Sequence, residues 1–470
     1  MENKNVLNFG VHDKPKFPQL LIFALQQLLA IMAATIAVPA IVGNGMSQSA
    51  ALFGAGVGTI VYLLFTKFRS PVFLGSSFAF LGSMSAAFAG GVSASAGYFG
   101  LIIGALFAGL VYIAIALVVK CAGTAWINKL MPAVVIGPTV AIIGLSLAGN
   151  AIGDLTSGSV KVANVAICSP YIALVCGLVT LFVTIICSVY GKKTFKLIPF
   201  IIGILAGYAL AAIFTVIGNA ADVDAFKIID FALFEDIYGV PDFAFVKAFG
   251  DEMTFGDGTV WTYLGTIAVA YIPVAFVVFA EHIADHKNLS AVIGSELLED
   301  PGLHRTLLGD GVGSVAGAFF GGCPNTTYGE SIGCVAITGN ASVISIFAAA
   351  CMAIVISFIG PFSTFLATIP SCVMGGVCIA LYGFIAVSGL KMLQKVDLND
   401  NSNLFVVSVI LITGVGGMAL TFGKITITEV ACALILGIVT NLICSRARKN
   451  GEKENFVTSN ENIEVKEERL

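Results

Sequence analysis

The residues best placed to do chemistry in this 470-residue chain are acidic side chains set among apolar neighbours. Glu281 follows the apolar run Trp261–Ala280 and opens Glu281-His282-Ile283-Ala284-Asp285-His286, and Glu330 lies in Pro324-Asn-Thr-Thr-Tyr-Gly-Glu-Ser-Ile-Gly333. On a helix Glu281 and Asp285 share a face one turn apart, as do His282 and His286. An acidic side chain at mid-bilayer costs about 2.5–3.5 kcal/mol or more, so its presence points to a site. Held out of water, a carboxyl keeps its proton more readily and exchanges it near neutral pH. Two of them beside one cavity would serve as a proton site and as acceptors for a neutral, amide-like ligand. Glu281, Asp285, His282, His286 and Glu330 are therefore the candidates for proton coupling. The competing readings are a place at the cytoplasmic interface for the first four and a packing hydrogen bond for Glu330. An enzyme would need a metal cluster or a nucleophile–base pair. HExxH is absent, and neither a cofactor nor a metal ion is expected.

These side chains need elements that can hold them in lipid. The chain is 57% hydrophobic and 11% charged, with a mean hydropathy of +0.96, against about 25% charged in a soluble domain. So little charge leaves lipid as the solvent for most of the surface, and the net charge of −4 carries no signal for nucleic acid. Apolar stretches long enough for a core of about 30 Å recur throughout. They predict about fourteen spans, near 18–42, 48–66, 72–89, 98–119, 130–150, 170–190, 196–218, 260–284, 303–321, 325–339, 342–360, 371–390, 402–421 and 426–445. The first sixteen residues are polar, so Phe17–Val42 reads as a first span and not as a cleavable signal. The 52 glycines suit close helix packing. Most of the 11 cysteines fall in apolar runs without a CxxC pair and read as small buried residues.

Spans three and ten are short, rich in Gly and Ser or Thr, and lack a regular apolar face. Ser70-Pro-Val-Phe-Leu-Gly-Ser-Ser-Phe-Ala-Phe80 alternates large and small residues after a proline, and its counterpart at 322–330 carries Pro324 and Gly329. Extended backbone at membrane depth survives only when covered by protein or by a polar cavity, so two such pieces would pair. The helix after each would aim unpaired N–H groups at the cavity. Gly333, one turn beyond Gly329, would be the more tolerant of substitution if its role is only packing. The pattern PxxVxG occurs at Pro132–Gly137 and again at Pro370–Gly375, in spans five and twelve. Spans three and ten are also seven apart, and an odd repeat must re-enter the membrane inverted. With the N-terminus inside, 20 of the 24 Lys and Arg fall on the cytoplasmic side, which favours an even count of spans. The acidic 219–258 segment then lies outside.

At these residues the chain resembles the nucleobase–ascorbate transporter family. The resemblance rests on Leu25–Pro39, Leu74-Gly-Ser-Ser-Phe-Ala-Phe80, Ala280-Glu-His282, Asp300-Pro-Gly-Leu-His-Arg305 and Pro324–Glu330. It implies an all-α polytopic membrane protein with about 14 transmembrane spans in two inverted 7-span repeats and short β-strands in spans 3 and 10. The implied domains are a cytoplasmic N-tail (1–17), core spans 1–4 (18–119), gate spans 5–7 (130–218), an extracellular loop (219–258), core spans 8–11 (259–360), gate spans 12–14 (371–445) and a cytoplasmic C-tail (446–470). By position, Glu281 and Glu330 match the family's base-binding glutamates, Phe78 and Gly329 its backbone N–H donors, and Ala34 and Tyr328 its packing positions. The chain departs from the pattern at Gln26-Gln27, where Gln-His is usual, at Ser331 in place of Asn, and at Asp285 where the uracil carriers have His. The implied function is proton-coupled uptake of uracil across the inner membrane, with membrane lipid and a homodimer as partners. The alternatives are a xanthine or urate carrier of the same family, then an anion carrier of the same architecture.

Overall fold

A computed structural model describes residues 7–444 apart from 163–164, 193–194, 196–197, 235–236, 238–239, 257, 395 and 423–424. The expected C-tail, with Lys193, Lys196, Lys395 and Lys424, lies outside the described residues. Among the described residues, eight helices are long and apolar enough to cross a membrane, or nine if one bent pair counts as a single span. The chain is a polytopic α-helical membrane protein.

The first half runs α1 (Phe17–Val42), α2 (Gln48–Phe65), strand β1 (Leu74–Ser76), α3 (Leu81–Ala87), α4 (Ala94–Ala122), α5 (Ala133–Ser146), α6 (Pro170–Tyr190) and α7 (Pro199–Ala221). The second runs α8 (Val260–Ile293), α9 (Leu303–Gly321), strand β2 (Asn325–Thr327), α10 (Gly329–Thr338), α11 (Val343–Ser357), α12 (Ser371–Leu393), α13 (Asn401–Val415) and α14 (Glu429–Cys444). Helix starts follow their capping residues. The hydroxyls of Ser47, Ser93 and Thr259 each accept an N–H from the first turn, which satisfies a donor that has no partner within the helix.

Spans three and ten are broken as expected. β1 and β2 pair antiparallel, with Leu74 opposite Thr327, Gly75 opposite Thr326 and Ser76 opposite Asn325. Flanking bonds extend the ladder, from Ser77 N–H to the Pro324 carbonyl (2.9 Å) and from Tyr328 N–H to the Phe73 carbonyl (3.2 Å). Thr59 on α2 supports β1 further, its Oγ1 accepting from Leu74 N–H at 2.9 Å.

Other boundaries differ. The eighth span does not stop at 284 but continues to Ile293, where Gly294 turns left-handed (φ 69°). Apolarity ends at Ala280, but the backbone has no reason to stop until a glycine ends the helix. Glu281 is thus inside a 34-residue helix, well short of its end. The eleventh span ends early, and Val343–Ser357 meets Gly360–Thr368 at a bend of 85° beside Pro361. A short hairpin, Leu420–Phe422 with Ile425–Ile427, separates α13 from α14. The 219–258 segment carries two 3₁₀ turns and a helix at Ala244–Gly250.

Glycines set the tightest crossings. A Cβ on Gly54 would lie 2.5 Å from the Gly317 carbonyl and one on Gly58 2.7 Å from that of Gly313, so α2 and α9 run antiparallel in near backbone contact. α5 and α12 do the same: Gly137 would meet the Gly389 carbonyl at 3.0 Å and Gly144 that of Tyr382, while Gly375 on α12 would meet at 2.8 Å the carbonyl of Ala151, in the short helix Ala148–Asp154 that follows α5.

A candidate substrate site between two broken spans

The strand pair ends beside α8, and a cavity of about 310 Å³ opens there. That is the small end of the usual range of about 300–1,000 Å³ for small-molecule sites. One wall comes from the expected core segments, with Ala30, Phe78, Glu281, Asp285, Tyr328 and Glu330. The facing wall comes from the expected gate segments, with Val140, Ser188, Phe200, Phe384 and Ser388. Among the described residues, no Lys or Arg lines it.

Glu281, Ala284, Asp285 and Asn288 follow one another up a single face of α8, and all four border the cavity. Asp285 is tied to the strand pair, its Oδ2 accepting from Thr327 Oγ1 at 2.7 Å. Glu281 has no protein hydrogen-bond partner among the described residues, which leaves its oxygens for a ligand. Glu330 stands in the first turn of α10, where its charge sits at the positive end of the helix dipole. Tyr328 precedes that helix without capping it through its side chain. The N–H groups of Gly329 and Glu330, at the helix start, have no carbonyl one turn earlier to bond. Phe78 begins a 3₁₀ turn after β1 in the same way, and its ring meets Tyr382 edge-on at 5.5 Å. The cavity thus offers carboxylate acceptors and backbone donors within one small volume.

The two expected packing residues take different places, Ala34 behind this surface and Tyr328 on it. Ala34 is buried inside α1, and Ala30 lines the cavity one turn earlier. The Tyr328 hydroxyl donates to the Ser76 carbonyl at 2.6 Å, so the side chain clamps the strand pair. The histidines face away from the cavity. His282 places Nδ1 2.7 Å from Asp310 Oδ2 and Nε2 2.9 Å from Thr306 Oγ1. His286 Nδ1 donates to the His282 carbonyl at 2.8 Å, and its Nε2 faces the Tyr62 hydroxyl at 2.7 Å. One residue along a helix is about 100° of rotation, so a neighbour of a lining residue points into the packing. Gly333 lines the cavity, and an added Cβ would meet nothing within 4 Å, so the condition that it serves packing only is not met.

Asp310, which is not among the residues singled out from the sequence, is fully buried on α9 and paired with His282. An acid inside the apolar stretch Leu303–Gly321 was the available signal. Asn288, Ser188 and Ser388 had none, because a single polar residue near a helix end does not stand out. Gln27 Nε2 donates to Ser331 Oγ, which also accepts from Phe73 N–H at 2.9 Å. Two of the departures from the family pattern therefore bond each other and brace the strand.

Residues 18–422 match the Permease family. The chain belongs to that family. It is 39% identical over 452 residues to the uracil permease of Bacillus subtilis (strain 168), covering 95% of this chain and 97% of the relative. It is 40% identical to the uracil permease of Bacillus caldolyticus (94% and 95% covered) and 35% identical to that of Escherichia coli (strain K12) (92% and 93% covered). Among solved structures, the transmembrane domain of the cyanobacterial bicarbonate transporter BicA superposes with a TM-score of 0.61 at 15% identity, covering 92% of this chain and 99% of that one. Murine Slc26a9, an anion transporter in the inward-facing state, gives 0.60 at 11% identity, covering 93% and 69%. The last two show a shared fold and nothing about the ligand. The chain is a permease and not an enzyme.

Proposed function

We propose that this permease takes up uracil together with protons across the cytoplasmic membrane. The observation that carries the reading is the cavity at the strand pair, where Glu281 and Glu330 supply acceptors and the starts of two short helices supply backbone donors. A pyrimidine dione presents N–H donors and carbonyl acceptors in alternation, which this mixture complements. Relatives named uracil permeases over nearly the whole chain support the same base. A xanthine or urate carrier is the nearest rival, and Glu330 favours the pyrimidine, since the oxopurine carriers tend to have Gln there. An anion carrier is disfavoured because no cationic side chain among the described residues lines the cavity.

Glu281, Asp285 and Glu330 are the proposed proton-coupling groups, since all three border the cavity. His282 and His286 act through position, holding α8 against α2 and α9. The proposed architecture is fourteen spans in two inverted repeats, moving as core against gate. Reciprocal glycine contacts support it: a shift of 238 residues carries Gly137 onto Gly375 and Ala151 onto Gly389, so contact 137–389 maps onto contact 375–151. The deciding experiment is uptake of labelled uracil into cells lacking their own permease, with xanthine, hypoxanthine and sulfate as competitors. Absence of labelled uracil uptake in cells that do take up labelled xanthine would transfer the assignment to the purine carriers.

A further inference from the structure

The motif Asp300-Pro-Gly-Leu-His-Arg305 takes no part in the substrate cavity. Two smaller cavities meet at its last residue. One, of about 220 Å³, is lined by Lys67, Arg69, Asp300, Pro301 and Arg305. The other, of about 190 Å³, is lined by Lys120, His304 and Arg305 together with the apolar Phe65, Leu117 and Leu308. Arg69 pairs with Asp300 at 2.5 Å. Among the described residues, Lys67, Lys120 and Arg305 have no carboxylate in ion-pair contact, so the paired cavities carry a surplus of positive charge.

The positions of these cations suit a membrane interface. Lys120 is in the last turn of α4, Arg305 in the first turn of α9, and Lys67 just past the end of α2. Left-handed backbone at Lys67 and Phe68 (φ 53° and 55°) turns the chain sharply there, and both Lys67 and Arg69 border the cavity beyond the turn. The apolar side is open: Leu64 is 59% exposed, Leu117 55% and Val118 48%. Basic side chains between helices at the cytoplasmic level, with an apolar groove leading away, match the shape of a lipid. A free phosphate would use the cations but gain nothing from the groove.

We propose that this is a binding site for one anionic phospholipid, its phosphate on Arg305, Lys120 and Lys67 and an acyl chain along Phe65, Leu117 and Leu308. Occupancy would fasten α2, α4 and α9 to one another at their cytoplasmic ends. The test uses the full chain purified in detergent, with its unfolding temperature measured after addition of phosphatidylglycerol, phosphatidylcholine of the same chains, or inorganic phosphate. Native mass spectrometry counts retained lipid on the same samples. Phosphatidylglycerol is expected to raise the unfolding temperature and stay bound, and the other two are not. The variant Lys120→Gln/Arg305→Gln should lose most of that rise and the retained lipid, with uracil affinity unchanged as the check on its fold. Lys120→Gln alone, at an exposed position, should lose part of both, and serves if the double variant folds poorly. An equal rise with phosphatidylcholine, an equal rise with phosphate, or an undiminished rise in the variants would each overturn the site.

Discussion

Glu330 and Asp285 border the same cavity but are not equally free. Asp285 already accepts from Thr327, and an amide in its place would still accept that hydrogen bond. Glu330 sits on the helix that begins at the proposed donor Gly329. Hydrogen bonds to a charged group contribute about 1.5–3 kcal/mol, roughly tenfold or more in affinity. Glu330→Gln is therefore expected to weaken uracil binding by about that factor, or to shift preference towards oxopurines, and Asp285→Asn by less. Titration calorimetry on the purified variants decides it, and the reverse ranking would move the site up α8. Gly329 supplies a second test, because an added Cβ meets no atom within 4 Å and would project into the cavity. Gly329→Val should abolish uptake at normal surface abundance, and Gly333→Val should now act alike, since that residue also borders the cavity. Normal uptake by well-expressed Gly329→Val would show that this backbone does not hold the base. Glu281 and Glu330 were legible in the sequence because a carboxylate among apolar residues is conspicuous. The direction of His282 was not, since the helical phase of α8 relative to the cavity depends on packing against α9.

The strand pair is the element that turns these residues into a site. Proline and glycine in two short segments were enough to predict breaks, because neither residue suits a lipid-facing helix interior. The register was beyond reach, because it depends on the fit of one ring: a Cβ on Gly75 would lie 2.3 Å from the Tyr328 ring and 2.9 Å from Thr35 Oγ1. Gly75→Val should therefore displace Tyr328 from its bond to Ser76. Overpacking of this kind costs about 1–3 kcal/mol, so thermal unfolding should fall together with uracil affinity. Gly329→Val should lose affinity with little change in unfolding temperature. A normal unfolding temperature for Gly75→Val would mean that the ring yields without loss and the clamp is not structural. The same reasoning explains why α8 outran its expected end. Hydropathy reports where lipid stops, whereas the helix continues until a residue such as Gly294 changes the backbone.

At the scale of the whole molecule, the proposed two halves meet in pairs seven spans apart: α2 with α9, β1 with β2, and α5 with α12. Each pair runs antiparallel, as a two-fold axis in the membrane plane requires. The repeated PxxVxG was readable in the sequence, but the meeting of its two helices was not, because long-range pairing leaves no local signal. If carboxylates at the interface carry the coupling proton, uptake into proteoliposomes should rise with an inwardly directed proton gradient. Equal uptake with sodium alone and no pH difference would refute proton coupling. The cavity has residues of the proposed core and residues of the proposed gate in its walls, so in that account carrying a ligand through requires these walls to move relative to each other. Ile337, in the proposed core, and Ser388, in the proposed gate, both line this cavity. All 11 native cysteines are free, so the background must first be made cysteine-free. Ile337→Cys with Ser388→Cys, joined by a short cleavable bifunctional reagent, should then stop uptake while substrate still binds from the open side. Cleaving the linker should restore transport. Undiminished uptake in fully cross-linked protein would show that core and gate do not separate here, and the rigid-body account of transport would have to be replaced by movement of single helices.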